Sequence, residues 1–157
     1  YSVNERDLQN GSTILMIATQ NGHVDVIKYL LGENDHKNDS SNNNDDDGFG
    51  VDLNTMNNNG MTPLCIAIQY GHLEIIKLLI KKGSFIDAMN ENGGTRLHIA
   101  AQYGQIKVMD LLVSILKEKQ KIINEQQQQQ QYSQHINDEE SNNNITIIEE
   151  TSAILDA

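Results

Sequence analysis

The sequence has little of what disulfide scaffolds, membrane spans and most enzyme sites need. Its 157 residues include no tryptophan, one proline and one cysteine, and aromatic residues make up 4%. The single thiol, Cys65, excludes an internal disulfide and favours a reducing compartment, so we expect an intracellular protein, cytoplasmic or nuclear. No run of about 18 apolar residues could cross a bilayer, and no signal peptide opens the chain, so we expect no membrane partner.

Apolar and basic residues are also scarce. The apolar fraction is 38%, below the roughly 45–50% of globular chains, which predicts that part of the chain stays outside any core. The net charge of −11 is uneven: residues 1–31 carry −1, residues 32–50 carry −5, residues 51–117 carry +1 and residues 118–157 carry −6. A nucleic-acid surface needs clustered lysine and arginine, so we expect no nucleic-acid partner. The chain begins at Tyr1 rather than methionine, and we expect a piece of a longer protein.

What the chain does have is an internal repeat. At a shift of 33 residues, the "TPL" at 62–64 aligns with the "TRL" at 95–97, and the "QYG" at 69–71 aligns with the "QYG" at 102–104. A third copy begins with the "TIL" at 13–15, at a shift of 49 residues from the second. The surplus of 16 residues lies in a low-complexity insertion at 32–49.

Each copy predicts a helical hairpin. Pro63 suits the first turn of a helix that runs to about Tyr70, with Thr62 as its N-cap. Gly71 supplies the left-handed residue that ends this helix. A second helix then runs from about Leu73 to Lys82.

The second helix is amphipathic, and an extended segment follows it. We expect its buried stripe to consist of Leu73, Ile76, Leu79 and Ile80. The following "GSFIDAMNENGGT" has no helical period and predicts a finger with a turn near Asn90–Gly93. Neither helix can bury its apolar face alone, so stacking against the next copy must complete the core.

This pattern closely resembles the ankyrin repeat, over residues 10–31 and 50–116. The resemblance implies a mainly α fold, an ankyrin-repeat solenoid of helix-turn-helix units with short β-like fingers. It also implies that threonine and histidine of a "TPLH" motif join neighbouring turns by hydrogen bonds. Here the motif is "TILM", "TPLC" and "TRLH", so only His98 keeps the imidazole, while Cys65 and Met16 replace it with apolar contacts.

The repeat also sets the expected domain boundaries. Repeats fill residues 1–117 as 10–56, 57–89 and 90–117, with the insertion at 32–49, and residues 118–157 form a Gln/Asn-rich tail, disordered or partly a helical cap. The stretch before Gly11 looks like the end of a preceding finger with one residue extra. A terminal repeat should be polar on its outer face, yet Val113, Ile115 and Leu116 need cover. Either residues 145–155 fold back as that cap, or further repeats follow; both readings stay open.

No set of residues predicts chemistry. Counting from Asn43, the acidic run has oxygen ligands where a calcium-binding EF-hand loop wants them, but its twelfth residue is Asn54 rather than glutamate. A solvated acidic loop is the better interpretation. His23 and His72 follow the elbow glycines without partners at metal-ligand spacing, which favours capping and contacts between repeats. No catalytic triad or phosphate loop occurs, so we expect no enzyme activity, no metal and no cofactor.

What remains is a surface. In each repeat a glutamine stands seven residues after the threonine. In a stacked array these glutamines should form a ladder, with the residues that follow them in a parallel row. The ankyrin resemblance places this ladder and the finger tips on the concave binding face, whose residues are Gln20, Asn21, Met56, Asn58, Asn59, Met61, Gln69, Tyr70, Met89, Glu91, Asn92, Gln102 and Tyr103. The residues to which we assign structural roles are Thr13, Thr62, Pro63, Thr95, His98, Gly22, Gly71 and Gly104.

Tyrosine, methionine and amide side chains suit a protein partner. We therefore expect a non-catalytic protein-interaction scaffold that binds its partner on the concave face, with contacts to further repeats in the full-length chain. The alternative is a regulatory or substrate-recruiting segment of a larger enzyme, for example a kinase or ubiquitin ligase. A third possibility is assembly driven by the array and the glutamine tract at 126–131.

Overall fold

A computed structural model describes residues 2–33, 49–87 and 93–155, except for the side chains of 138–146 and 153–155. Within these residues, six helices occur in this order: α1 Ile14–Gln20, α2 Val24–Leu30, α3 Pro63–Tyr70, α4 Leu73–Lys81, α5 Arg96–Gln102 and α6 Ile106–Leu155. No β-strand occurs within the described ranges. Most of the predicted insertion, including the calcium candidates before Asn54, and the predicted turn up to Asn92 lie outside the described residues.

The helices pair as the repeat predicts. α1 packs on α2, and α3 packs on α4, which makes the hairpins. α1 also packs on α3, α3 on α5, and α2 on α4, so successive hairpins stack with like helices side by side. The first helices lie deepest: every residue of α3 from Pro63 to Ile68 is buried, because α1, α4 and α5 all pack on it. Burial between layers is the main source of stability in such a stack.

Equivalent leucines occupy equivalent places in the layers. Leu30, Leu79 and Leu112 sit at the same position of the three second helices, and all three are buried. Full burial of a leucine side chain contributes about 1.5–3 kcal/mol relative to exposure. Each of the three repeats therefore adds a similar hydrophobic contribution at this position.

The buried face of α4 differs from the predicted stripe. Ile76 and Leu79 are buried as expected, but Leu73 and Ile80 are only half-buried. Ile75 and Leu78 are buried instead. The prediction placed all four residues on a single stripe. The structure adds contacts with α2 of the preceding repeat, which widen the buried face of α4.

Two compact units divide the chain, Tyr1–Val113 and Ser114–Ala157. In the second unit the chain is helical to Leu155. Ile115 and Leu116 at its start are half-buried, and its other described side chains are exposed, including Tyr132, Ile147 and Ile148. Glutamine is among the better helix formers, and Gln120 Nε2 donates a hydrogen bond to Asn124 Oδ1 at 2.9 Å, one turn along. Whether residues 118–157 act as a separate tail or as a cap stays a prediction.

Candidate functional site

The candidate binding residues stand at the elbows of the hairpins, so the elbow geometry decides how they are presented. Thr62 Oγ1 accepts a hydrogen bond from the Cys65 amide at 3.3 Å and caps α3 above Pro63. Gly71 ends that helix in the left-handed conformation, with φ of 74°. Tyr70 is the residue directly before this turn, so the turn fixes the position of the Tyr70 backbone.

The first and third repeats are built in the same way. Thr13 Oγ1 accepts from the Met16 amide at 3.4 Å. Thr95 pairs with His98 in a capping box, in which His98 Nδ1 lies 3.2 Å from the Thr95 amide. Gly22 and Gly104 are left-handed like Gly71. The three elbows therefore repeat one local geometry.

The second and third elbows are each tied to the preceding repeat by the residue that follows the elbow glycine. The Nε2 atom of His72 lies 3.4 Å from the carbonyl oxygen of Gln20. At the equivalent position, Gln105 Nε2 donates to the carbonyl oxygen of Gln69 at 3.0 Å. The predicted contact of His72 between repeats is confirmed. The same two bonds fix the spacing of the glutamine ladder. His23 and His72 are the N-cap residues of α2 and α4, but neither side chain makes a capping hydrogen bond, so the capping role predicted for them was wrong.

Within that ladder, two predicted residues meet directly. Gln20 Nε2 donates to the hydroxyl oxygen of Tyr70 at 3.3 Å. The Tyr70 ring also stacks on the His72 ring, with centroids 6.1 Å apart and 9° between the planes. Tyr70 and Tyr103 keep 46% and 45% of their surface exposed. Tyr70 is thus held by its neighbours and still half exposed, and Tyr103 is exposed to the same extent.

The fingers are held by asparagine and aspartate side chains. Asn57 Oδ1 accepts the Asn59 and Met61 amides, both at 3.0 Å, and closes the tip of the second finger. Asp7 Oδ1 does the same for the first finger, with 2.7 Å to the Asn10 amide. This hydrogen bond, aided by other amides of the turn, holds the pKa of Asp7 below its usual value. The interpretation of the first residues as a finger with one residue extra is therefore confirmed.

Neighbouring fingers are joined by a ladder that the sequence analysis missed. Asn4 Oδ1 accepts the Asp52 amide at 2.8 Å, and Asn54 Oδ1 accepts the Phe85 amide at 3.2 Å. Asn4 and Asn54 occupy the same place in successive fingers. The high asparagine content obscured this signal, because only the finger alignment distinguishes these asparagines from the others.

The predicted finger residues differ in their surroundings. Asn58 is engaged in the finger stack: its amide donates to the Asn10 carbonyl at 2.9 Å, and its Oδ1 accepts from Arg6 Nη2 at 3.3 Å. Met56 and Asn59 are exposed and Met61 is half-buried. That these residues share one face with the tyrosines stays a prediction. Two further sets complete the candidates: Asn21 and Gln102 are exposed and Gln69 is half-buried, and Met89, Glu91 and Asn92 lie outside the described residues.

A buried polar cluster joins the second and third repeats. Cys65 is fully buried, as expected, but its contacts are not only apolar. Its Sγ accepts from Arg96 Nη1 at 2.8 Å and from Thr62 Oγ1 at 3.3 Å. Arg96 takes the place of Pro63 in the third repeat and is itself buried, and its Nε has no hydrogen-bond partner among the described residues. The expectation of purely apolar contacts for Cys65 was wrong, because it ignored the arginine that the next repeat places above the thiol.

Ion pairs reinforce the stacking of the second helices. Lys28 Nζ lies 2.9 Å from Glu74 Oε1, between α2 and α4. Glu33 Oε1 accepts from Lys81 Nζ at 2.7 Å, with Lys82 Nζ at 3.7 Å. The hydrogen bond from Lys81, together with the charges of both lysines, lowers the pKa of Glu33.

Metal-binding clusters and membrane-spanning helices are both absent from the described residues. Among the residues that the structure describes, no three histidine, cysteine, aspartate or glutamate side chains are grouped so as to hold a metal ion. In the same part of the chain, no helix is both long and apolar enough to cross a membrane.

Comparison with known proteins identifies the repeat. A family model described as "Ankyrin repeats (3 copies)" matches residues 47–125, just over half of the chain. A second model, "Ankyrin repeat", matches residues 10–43. A search among curated proteins finds no match.

Proposed function

Because this chain belongs to the ankyrin-repeat family, whose members generally mediate protein–protein interactions and are typically non-catalytic, we propose that it is a scaffold that binds a partner protein on its concave face. The proposed contact residues are the ladder at the elbows, centred on Tyr70 and Tyr103, with the finger residues beside it. We call this the tyrosine surface. Its partner is a protein segment that offers both apolar area and hydrogen-bonding groups.

One observation carries the proposal: the hydrogen bond from Gln20 to the Tyr70 hydroxyl, between two repeats, at a site where the ring stays half exposed. A tyrosine held by a neighbour loses little conformational freedom on binding, and ordering a side chain otherwise costs about 0.5–1.5 kcal/mol. Its ring and hydroxyl can contribute apolar area and a hydrogen bond to the same partner. Such residues are frequent among those that dominate binding energy.

Charge supports a protein partner over a nucleic acid. The repeats at 51–117 carry a net charge of only +1, and the sequence as a whole carries −11. The residues around Tyr70 are amide and imidazole side chains rather than lysine or arginine. Phosphate contacts, which dominate nucleic-acid affinity, need clustered basic groups.

The test is affinity capture with matched tyrosine variants. The Tyr70→Ala/Tyr103→Ala chain should lose partners that the parent chain retains. Tyr132→Ala is the control, because Tyr132 is also exposed but lies on α6 in the second unit. Equal retention by the double variant, or loss in the Tyr132→Ala control, would place the contact elsewhere.

A regulatory or substrate-recruiting segment of a larger enzyme would use the same surface. The two proposals differ in the fate of the captured protein. In the enzyme case, partners lost with the Tyr70→Ala/Tyr103→Ala chain would also lose a covalent modification in cells. In the scaffold case, their modification would be unchanged.

A further inference from the structure

The outer face of the first repeat exposes four apolar side chains, which we call the α1–α2 face. In α1, Ile14 and Ile17 are 42% and 47% exposed, and in α2, Val26 and Tyr29 are 45% and 55% exposed. The repeat alignment gives each of them an equivalent in the second repeat. Those equivalents, Pro63, Ile66, Ile75 and Leu78, are all buried, and three of them are at most 6% exposed.

The preceding repeat accounts for this difference. α3 and α4 bury these positions because α1 and α2 pack against them. In the third repeat, Arg96, Ile99 and Val108 are buried at the equivalent positions, and Leu111 is half-buried. The α1–α2 face is therefore the same surface without its cover.

Polar residues on this face also match positions that bind a preceding repeat. His23 is equivalent to His72, which contacts the carbonyl of Gln20 in the repeat before it. Asp25 is equivalent to Glu74, which pairs with Lys28 of the repeat before it. Both His23 and Asp25 are exposed.

The first repeat does not have the composition of an end cap. Terminal repeats of solenoids carry a polar outer face, which keeps the array soluble. Here the face is aliphatic and aromatic, and the Phe49 ring lies 5.0 Å from the Tyr29 ring and extends it. These residues have the character of an internal repeat.

We propose that a further helical hairpin of this chain's own repeat type covers the α1–α2 face. It presents apolar side chains to Ile17 and Val26, a basic side chain to Asp25, and the carbonyl at the end of its first helix to His23. The finger at residues 2–12 supports this occupant. In the second repeat's connection from α2 to α3, the finger at residues 50–61 comes directly before the first helix of its hairpin, as residues 2–12 come before α1, so a hairpin placed ahead of residues 2–12 would enter this finger from its second helix.

This inference concerns the end of the stack and is independent of the tyrosine surface. A fused copy of one of the chain's own hairpins can serve as a probe for it. A copy of residues 50–83 fused ahead of Tyr1 places a hairpin in the right register, since Gly83 stands before the third repeat's finger as it would before this one. The copied Lys77 would then face Asp25 as Lys28 faces Glu74, and the copied Gln69 carbonyl would face His23.

The experiment compares hydrogen exchange and urea unfolding of the fused and parent chains. The fused copy should slow exchange of the α1 amides by about tenfold or more and raise the urea midpoint. The control carries Ile17→Glu and Val26→Glu. In the parent chain, where both residues are exposed, exchange should stay within about twofold; in the fused chain, the slowing should be lost.

Three outcomes would overturn the proposal. The fused copy could fail to slow exchange, although its sequence is folded in the second repeat. The slowing could persist in the Ile17→Glu/Val26→Glu chain, which would place the contact elsewhere. The parent chain could sediment as a dimer that this double substitution dissociates, which would make a second copy the occupant.

Discussion

Replacing Gly71 with alanine tests two separate constraints on the same elbow. The first is the backbone, since φ at Gly71 is +74°. The second is space: a Cβ at this position would lie against the Gln105 amide, 2.9 Å from its Cδ. Gly104 has the first constraint without the second, because its φ is +64° and no atom lies within 4 Å of a Cβ built there.

The expected costs follow from these contacts. The left-handed conformation costs an L-residue about 1–2 kcal/mol, and the lower unfolded-state entropy of alanine offsets about 0.4–1 kcal/mol. Gly104→Ala should therefore cost about 1 kcal/mol. Gly71→Ala also displaces Gln105 from the Gln69 carbonyl, a bond whose loss adds about 1 kcal/mol. Its total should be about 2 kcal/mol, or roughly 4–8 °C in the melting temperature.

The assay is urea unfolding of the two glycine variants, each with and without Gln105→Ala. In the Gln105→Ala background, Gly71→Ala should cost only the backbone contribution of about 1 kcal/mol. Gly104→Ala should cost the same in both backgrounds. The reasoning fails if Gly71→Ala and Gly104→Ala are equally destabilising, or if Gln105→Ala leaves the cost of Gly71→Ala unchanged.

Three further changes have defined outcomes. Cys65→Ala should cost about 2–3 kcal/mol in urea unfolding, because it leaves the buried Arg96 guanidinium without its acceptor, and adding Arg96→Pro should recover most of this loss. The Glu33 pKa is lowered in the folded state, so its pairing stabilises the fold above its usual titration range and the effect is lost as the pH falls through the lowered value. Glu33→Gln should therefore reduce the unfolding free energy from urea titration at neutral pH, by less than about 1 kcal/mol, with no difference at acid pH. Deleting residues 34–48 should change the unfolding free energy by no more than about 1 kcal/mol, since Phe49 already donates to the Leu30 carbonyl at 3.3 Å; loss of the helical circular dichroism signal would contradict this.

The parts of the fold that the sequence predicted are those decided by local chemistry. Thr62 and Pro63 start a helix, and Gly71 ends it, through groups that lie within one turn of one another. The repeat then transfers these assignments to the other two copies. The predicted ends of the two helices in the second repeat consequently agree with the structure to within about one residue.

The parts that were missed depend on neighbouring layers. Ile75 and Leu78 are buried on α4, which packs against α2, a helix more than 40 residues earlier in the sequence. The contact between Arg96 and Cys65 likewise joins two repeats. Periodicity within one helix identifies an apolar face but not how many neighbours cover it. Aligning the repeats shows that Arg96 takes the position of Pro63, and this alignment would have indicated an arginine near the inner helices.

In the candidate site too, the sequence predicts which positions align but not the contacts between repeats. The glutamine and tyrosine ladder followed from the repeat period, whereas the hydrogen bond between Gln20 and Tyr70 required coordinates. The asparagine ladder between fingers was also hidden, because Asn4 and Asn54 resemble the many other asparagines of the chain. Spacing thus indicates which residues align, and the structure adds which of them touch.

Site-specific photocrosslinking tests the central claim most directly. A photoreactive phenylalanine analogue would replace Tyr70, Tyr103 or Tyr132 in turn, in the full chain inside cells. The account predicts that the analogues at positions 70 and 103 crosslink to the same partner protein and that the one at position 132 does not. Crosslinking of that partner from position 132 alone would contradict it.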